Sequence, residues 1–191
     1  AMNLPAFSLA TYPMGRYTLA YNISLGGGVA DDDSSDNSAS YDFVIQDSLY
    51  SFAALDVATG NAAPNAHYRP GTNNATYSVC SVLKDANASR IAAVGAHFSA
   101  TTNAASGVTL DGEEIALTLY KWEDNFADLN DPNFGFNTLT QVAGGFYYYP
   151  SDLQGELVYG AFDQAVVLED NVRYLACAQT VNLEVYLGFD S

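Results

Sequence analysis

Residues 114–122, EIALTLYKW, constrain the fold most, because apolar side chains alternate along them. Alternate residues of an extended strand point to opposite faces, so Ile115, Leu117 and Leu119 share one face. The other face carries Ala116, Thr118, Tyr120 and Trp122. Apolar character on both faces is typical of a strand inside a sheet. We therefore predict that this stretch is a central β-strand.

The same alternation recurs through the chain, most clearly at residues 16–25, where every second side chain is Tyr, Leu or Ile. Further strands are predicted at residues 40–46, 76–83, 91–98, 137–142, 145–149, 155–167, 172–178 and 181–187. Turn-forming Gly, Asn, Asp and Pro separate them, and no window of a dozen residues has a helical period. Many short strands of this kind predict an all-β, antiparallel β-sandwich.

The charge balance of the 191-residue chain excludes several classes of partner. Six Lys and Arg stand against 22 Asp and Glu, which gives a net charge of −16. A surface of this sign repels phosphate backbones and anionic lipids, so we expect no nucleic-acid partner. No stretch of about 18 apolar residues occurs, so we expect no membrane insertion.

The two cysteines, Cys80 and Cys177, both lie in predicted strands. If they meet, the long loop between them would make the disulfide worth several kcal/mol in the chain-entropy description. The alternative is a pair of buried free thiols, which is common in protein cores.

Two groups of motifs resemble known extracellular modules. The segments GRYTLAYNIS (15–24), DDDSSDN (31–37) and YDFVIQDSLY (41–50) resemble the end of an Ig-like unit in large extracellular proteins of Bacteroidota. The segments IAAVGAHF (91–98), IALTLYKW (115–122) and VVLEDNVRYL (166–175) resemble jelly-roll-like sandwich domains of proteins exported by the type IX secretion system. Asn171 replaces the usual turn glycine there, and asparagine tolerates the same left-handed conformation.

The resemblance implies an N-terminal Ig-like hairpin at residues 1–50, either within the same unit or in a neighbouring one. It also implies a jelly-roll-like β-sandwich at residues 51–191 and an extracellular or cell-surface location.

Residues that would support catalysis are scarce. His67 lies in a polar loop and His97 in a predicted strand, and neither has the spacing of a metal site. The G-x-S-x-G motif of a nucleophilic serine is absent from the sequence. We therefore expect that the protein is not an enzyme.

Calcium is the cofactor that the acidic loops favour, because carboxylate and amide oxygens are its preferred ligands. The candidate ligands are Asp31, Asp33 and Asp36 in one loop, and Asp124, Asp128, Asn130 and Asp131 in another. Neither loop follows the EF-hand pattern, and a solvated acidic loop is the alternative.

Aromatic side chains are the candidate ligand-binding residues: Trp122, Tyr120, Tyr147 and Tyr149. Exposed rings flanked by polar groups are suited to stacking against sugars. Alternation within residues 146–149 places two rings on each face, and either pair could be the exposed one. Trp122 has a structural alternative, since a strand tryptophan in a sandwich is commonly part of the core.

We therefore expect a non-enzymatic extracellular or cell-surface module that supports adhesion or assembly of a larger surface protein or filament. Its partners would be other copies of the chain or neighbouring domains. The alternative is a carbohydrate-binding module of a secreted polysaccharide-active enzyme, with glycans as its ligands.

Overall fold

The computed structural model describes residues 13–23, 33, 35, 37–45, 49–51, 55–56, 58–59, 61–62, 66–71 and 76–189. The chain divides into two compact units, residues 1–63 and residues 64–191. The boundary between the two units follows residue 63, whereas the sequence predicted a boundary after residue 50.

The first unit contains the predicted N-terminal hairpin. Strands β1 (Gly15–Asn22) and β2 (Ser38–Ile45) are antiparallel, and a second short pair joins β3 (Leu55–Asp56) to β4 (Asn61–Ala62). In the hairpin, Tyr17 lies opposite Phe43 and Leu19 opposite Tyr41. The rings of Tyr17 and Phe43 stack with their centroids 5.5 Å apart. The hairpin therefore has one apolar face, as the alternation predicts.

The second unit contains nine strands within its described residues. They are β5 (Ala66–Tyr68), β6 (Tyr77–Leu83), β7 (Ala92–Phe98), β8 (Ala100–Thr102), β9 (Glu114–Trp122), β10 (Thr140–Tyr148), β11 (Val158–Val167), β12 (Arg173–Thr180) and β13 (Val185–Phe189). Single 3₁₀ turns occur at Ala88–Arg90 and Phe136–Thr138.

These strands form two antiparallel layers. One layer is a four-stranded sheet in the order β10-β9-β12-β6. In the other, β11 pairs with β7, and β8 pairs with β13, which pairs with β5. Ser99 separates β7 from β8, and its carbonyl accepts a 2.9 Å hydrogen bond from the Gly188 N–H of β13. This bond joins the two short ladders into one layer.

The order of the strands along the chain is that of a jelly roll. Successive strands cross from one layer to the other, with β7 and β8 counted as one, except where β9 leads to β10 in the same sheet. Two interlocked Greek keys of eight strands have this connectivity. The predicted all-β, antiparallel, jelly-roll-like sandwich is therefore confirmed.

The main core lies between the two layers. Ile115, Leu117 and Leu119 of β9 are buried in it, as the alternation predicts. The opposite layer contributes Phe98, Val158, Phe162, Val185 and Leu187. Burial of large aliphatic and aromatic side chains supplies most of the stability of such a sandwich.

The edge of the four-stranded sheet at β10 is closed against β11. A Cβ on Gly145 would lie 2.3 Å from the carbonyl oxygen of Ala161, so only glycine allows this approach. Two side chains of β11 bond to the backbone of β10. Asp163 accepts from the Gly144 N–H at 3.0 Å, and the Gln164 amide donates to the Val142 carbonyl at 2.7 Å. These contacts hold β10 in a fixed position.

Candidate functional site

The outer face of the four-stranded sheet, which points away from the main core, carries the candidate aromatic residues. Its two halves differ. The covered half contains Tyr120, Trp122, Leu175, Cys177 and Cys80. The open half contains Phe146, Tyr148, Glu114, Ala116, Thr118, Gln179 and Ser78, which the strand register places side by side.

Residues 123–139, which connect β9 to β10, pack on the covered half. Phe126, Phe134 and Leu139 of this segment belong to one apolar cluster with Trp122, and the ring centroids of Trp122 and Phe126 are 4.3 Å apart. The Trp122 indole N–H donates a 3.1 Å hydrogen bond to the Phe126 carbonyl. Trp122 is consequently only 4% exposed, and its polar atom is satisfied.

Arg173 of β12 holds the segment in place. Its guanidinium carbon lies 3.9 Å from the centre of the Trp122 ring, a cation–π contact. It donates a 2.8 Å hydrogen bond to the Ala127 carbonyl and forms an ion pair with Asp124. Asp124 adopts a left-handed conformation, with φ of 57°, just after β9 ends. The chain turns back over the sheet at this residue.

A disulfide joins Cys80 to Cys177 within the covered half. The two residues lie directly opposite each other on β6 and β12, although 97 positions separate them in sequence. The bond thus links the edge strand β6 to its neighbour β12.

The candidate calcium carboxylates of the second loop have partners within the protein. Asp124 pairs with Arg173, and Asp128 accepts the Asn130 N–H at 2.8 Å. Asp131 accepts the N–H groups of Asn133 at 2.9 Å and Ala127 at 3.3 Å. These bonds, of which the one from Asn133 has the largest effect, hold the pKa of Asp131 below its usual value. The carboxylates therefore stabilise the turns of residues 123–139.

In the first acidic loop, Asp31 and Asp36 lie outside the described residues. Asp33 accepts hydrogen bonds from the hydroxyl and the N–H of Ser35, and both lower its pKa. Within the described residues, no group of three or more His, Cys, Asp and Glu is placed to hold a metal ion.

The exposed aromatic pair on β10 is Phe146 and Tyr148, which are 61% and 60% exposed. Tyr147 and Tyr149 point into the core, where their rings pack edge-on against Phe98 at 5.4 and 6.2 Å between centroids. Tyr149 is only 1% exposed. Of the two arrangements that the alternation allowed, the structure has the one in which Phe146 and Tyr148 are exposed.

The aromatic residues that the sequence predicted to bind a ligand are therefore not the exposed ones. Trp122 and Tyr149 are buried and have no open ring face. Tyr120 is partly buried and packs against Phe136, with centroids 5.6 Å apart. Phe146 and Tyr148 were not among the predicted residues, because the period of a strand does not say which face is covered.

Polar groups accompany the two exposed rings. Tyr148 lies opposite Glu114, and a hydrogen bond between their side chains raises the pKa of the Tyr148 hydroxyl. The Gln179 amide donates a 2.9 Å hydrogen bond to the Ser78 hydroxyl on the neighbouring strand. The open half contains no lysine or arginine. It therefore combines aromatic rings with uncharged or acidic hydrogen-bonding groups.

A histidine–serine pair lies in the other layer. The His67 Nε2 and Ser99 Oγ atoms are 3.0 Å apart, and burial lowers the pKa of His67. Ser99 is almost completely buried. The contact connects β5 to the junction of β7 and β8, so the pair has a structural role. The sequence did not predict this pair, because its two residues are far apart along the chain.

In the described part of the chain, no helix is long and apolar enough to cross a membrane. The resemblance to Ig-like and type IX-exported modules stays a prediction. Comparison of the chain with protein-family models, with curated proteins and with solved structures found no match.

Proposed function

We propose that this chain is a non-enzymatic module of an extracellular or cell-surface protein, and that it supports assembly by pairing with a second copy through the β1–β2 hairpin. The observation that carries the proposal is the apolar face of this hairpin. Tyr41 and Ile23 are 68% and 59% exposed, and Leu19 and Tyr21 are also exposed. Contiguous exposed apolar side chains mark interaction surfaces.

A two-stranded hairpin gains more stability from a partner that covers its apolar face than a larger sheet does. Isolated hairpins are marginally stable in water, and a third strand or a packed layer stabilises them. Within the described residues, the sheet of β1 and β2 has only these two strands, so each has an outer backbone edge. Strand edges of this kind can pair with another strand.

Charge favours a second copy as the occupant. The two strands contain one basic and one acidic residue, Arg16 and Asp42, which form a 2.7 Å ion pair with each other. The paired strands are therefore neutral together in a chain whose net charge is −16, and the other acidic residues of the hairpin lie in the loop between the strands, at Asp31, Asp32, Asp33 and Asp36. Two copies that meet through the paired strands, rather than through this loop, therefore bring fewer like charges together than they would elsewhere on the acidic surface.

The disulfide supports the proposed location. Structural disulfides persist in oxidising surroundings such as the cell exterior and are rare in the cytosol. The Cys80–Cys177 bond joins an edge strand to the sheet, which suits a module that works outside the cell.

Light scattering coupled to size-exclusion chromatography tests the proposal on the full chain. We expect the apparent mass to rise from monomer to dimer with concentration. Leu19→Ser/Tyr41→Ser, which changes one cross-strand pair on the apolar face, should remain monomeric. The control Ala20→Thr, on the opposite face of the hairpin, should still dimerise. A monomer at every concentration, or a dimer that the double variant retains, would overturn the proposal.

A further inference from the structure

We infer that the open half of the outer face binds the pyranose rings of a neutral polysaccharide. This inference rests on the proposed function as a surface module and gives it a ligand for adhesion.

The two rings are spaced for neighbouring sugar units. Phe146 and Tyr148 are alternate residues of one antiparallel strand, so their Cα atoms are about 7 Å apart. Both point to the same side and are mostly exposed. The C–H face of a pyranose is apolar, and an aromatic ring provides a flat apolar surface for it.

The polar groups are placed to receive hydroxyl groups beside the rings. Glu114 and Thr118 of β9 and Gln179 of β12 lie on the same face as Phe146. Ala116, directly opposite Phe146, is small and leaves the side of the ring open. Ligand sites typically combine apolar contact area with a few oriented polar groups, and this surface has that composition.

The surface is pre-organised. The closure of β10 against β11, through Gly145 and the bonds from Asp163 and Gln164, fixes the strand that carries both rings. The hydrogen bonds from Gln179 to Ser78 and between Tyr148 and Glu114 orient the polar groups. Pre-organisation lowers the entropy that binding must offset.

Charge selects a neutral ligand. The open half offers no cation to pair with a carboxylate or sulfate, and Glu114 adds a negative charge. The net charge of −16 would repel an anionic polysaccharide as a whole. A neutral glycan avoids both penalties.

Affinity gel electrophoresis of the full chain tests the inference. The gels contain hydroxyethylcellulose, xyloglucan, galactomannan, mannan or laminarin as neutral probes, and alginate as the anionic probe. We expect retardation by at least one neutral probe and none by alginate. Phe146→Ala and Tyr148→Ala should each weaken binding about tenfold or more, since a few central aromatic contacts carry most of the affinity.

Two further variants separate loss of binding from loss of folding. Phe146→Tyr keeps the ring and should keep the binding. Tyr159→Ala removes an exposed ring from β11, in the other layer, and should also leave it unchanged. Failure of all neutral probes to retard the chain, or retardation that survives Phe146→Ala and Tyr148→Ala, would overturn the inference. The hairpin variants keep both rings, so failure of self-association and failure of glycan binding are distinguished.

Discussion

Both halves of the outer face carry aromatic side chains, but those of the covered half are buried and those of the open half are exposed. In the covered half, Trp122 is enclosed by residues 123–139 and bonded to Phe126. In the open half, Phe146 and Tyr148 stand on a rigid strand with no such cover. The same sheet thus has a second small core at one end and a ring-bearing surface at the other. Burial depends on where the connecting segment lies, and the strand pattern alone does not determine it.

The largest effect should come from Trp122→Ala in the covered half. Removing a large buried aromatic typically costs about 3–5 kcal/mol, and here it also removes the ring that packs against both Phe126 and Arg173. Urea unfolding followed by circular dichroism measures the loss. Phe136→Ala is the control, because Phe136 is partly exposed at the rim of the same segment. A loss below about 1 kcal/mol would mean that residues 123–139 do not form a core with the sheet.

Removal of the disulfide should have the next largest effect. For Cys80→Ala/Cys177→Ala we expect a loss of about 3 kcal/mol, since the bond closes a loop of almost a hundred residues and ties the edge strand β6 to β12. Urea titrations of the variant and the oxidised wild type provide the comparison. Equal midpoints and slopes would show that β6 stays paired without the bond.

Acidification should lower the stability by a smaller amount, and the histidine responsible lies outside the outer face. Burial lowers the pKa of His67 in the folded chain, so the unfolded chain binds more protons once the pH falls below about 6.5. Stability should therefore decrease as the pH is lowered from 7 through 5, and His67→Gln should reduce this dependence. His97 should account for part of the pH dependence that remains, because burial lowers its pKa as well. A pH dependence unchanged in His67→Gln would contradict this assignment.

The sequence predicted the class of fold well, because period-two alternation directly reports strands. Ile115, Leu117 and Leu119 are buried as expected, and the predicted strands at 137–142 and 145–149 join into β10, which has a bulge between Gln141 and Ala143. The sequence of residues 123–139 contains the second acidic loop, which indicated a candidate calcium site. Two buried apolar residues, Phe126 and Leu139, and the partly buried Phe134 are too widely spaced to form a pattern, so the sequence did not predict that they cover Trp122.

The candidate site was harder to predict for the same reason. Alternation divides residues 146–149 into two pairs but does not identify the face that a second layer covers. Phe98 and the close approach of Ala161 to Gly145 decide that question, and both belong to distant parts of the chain. The carboxylates of Asp124 and Asp131 likewise found partners in Arg173 and in turn amides that composition alone does not specify.

The most direct test of the account is the unfolding free energy of Phe146→Ala/Tyr148→Ala. Trp122 is the only tryptophan and is buried in the covered half, so its fluorescence reports unfolding while the open half is changed. If the two rings form a binding surface rather than a core, the double variant should lie within about 0.5 kcal/mol of the wild type for each residue. A loss of about 3 kcal/mol or more would make the rings structural and contradict the difference between the two halves.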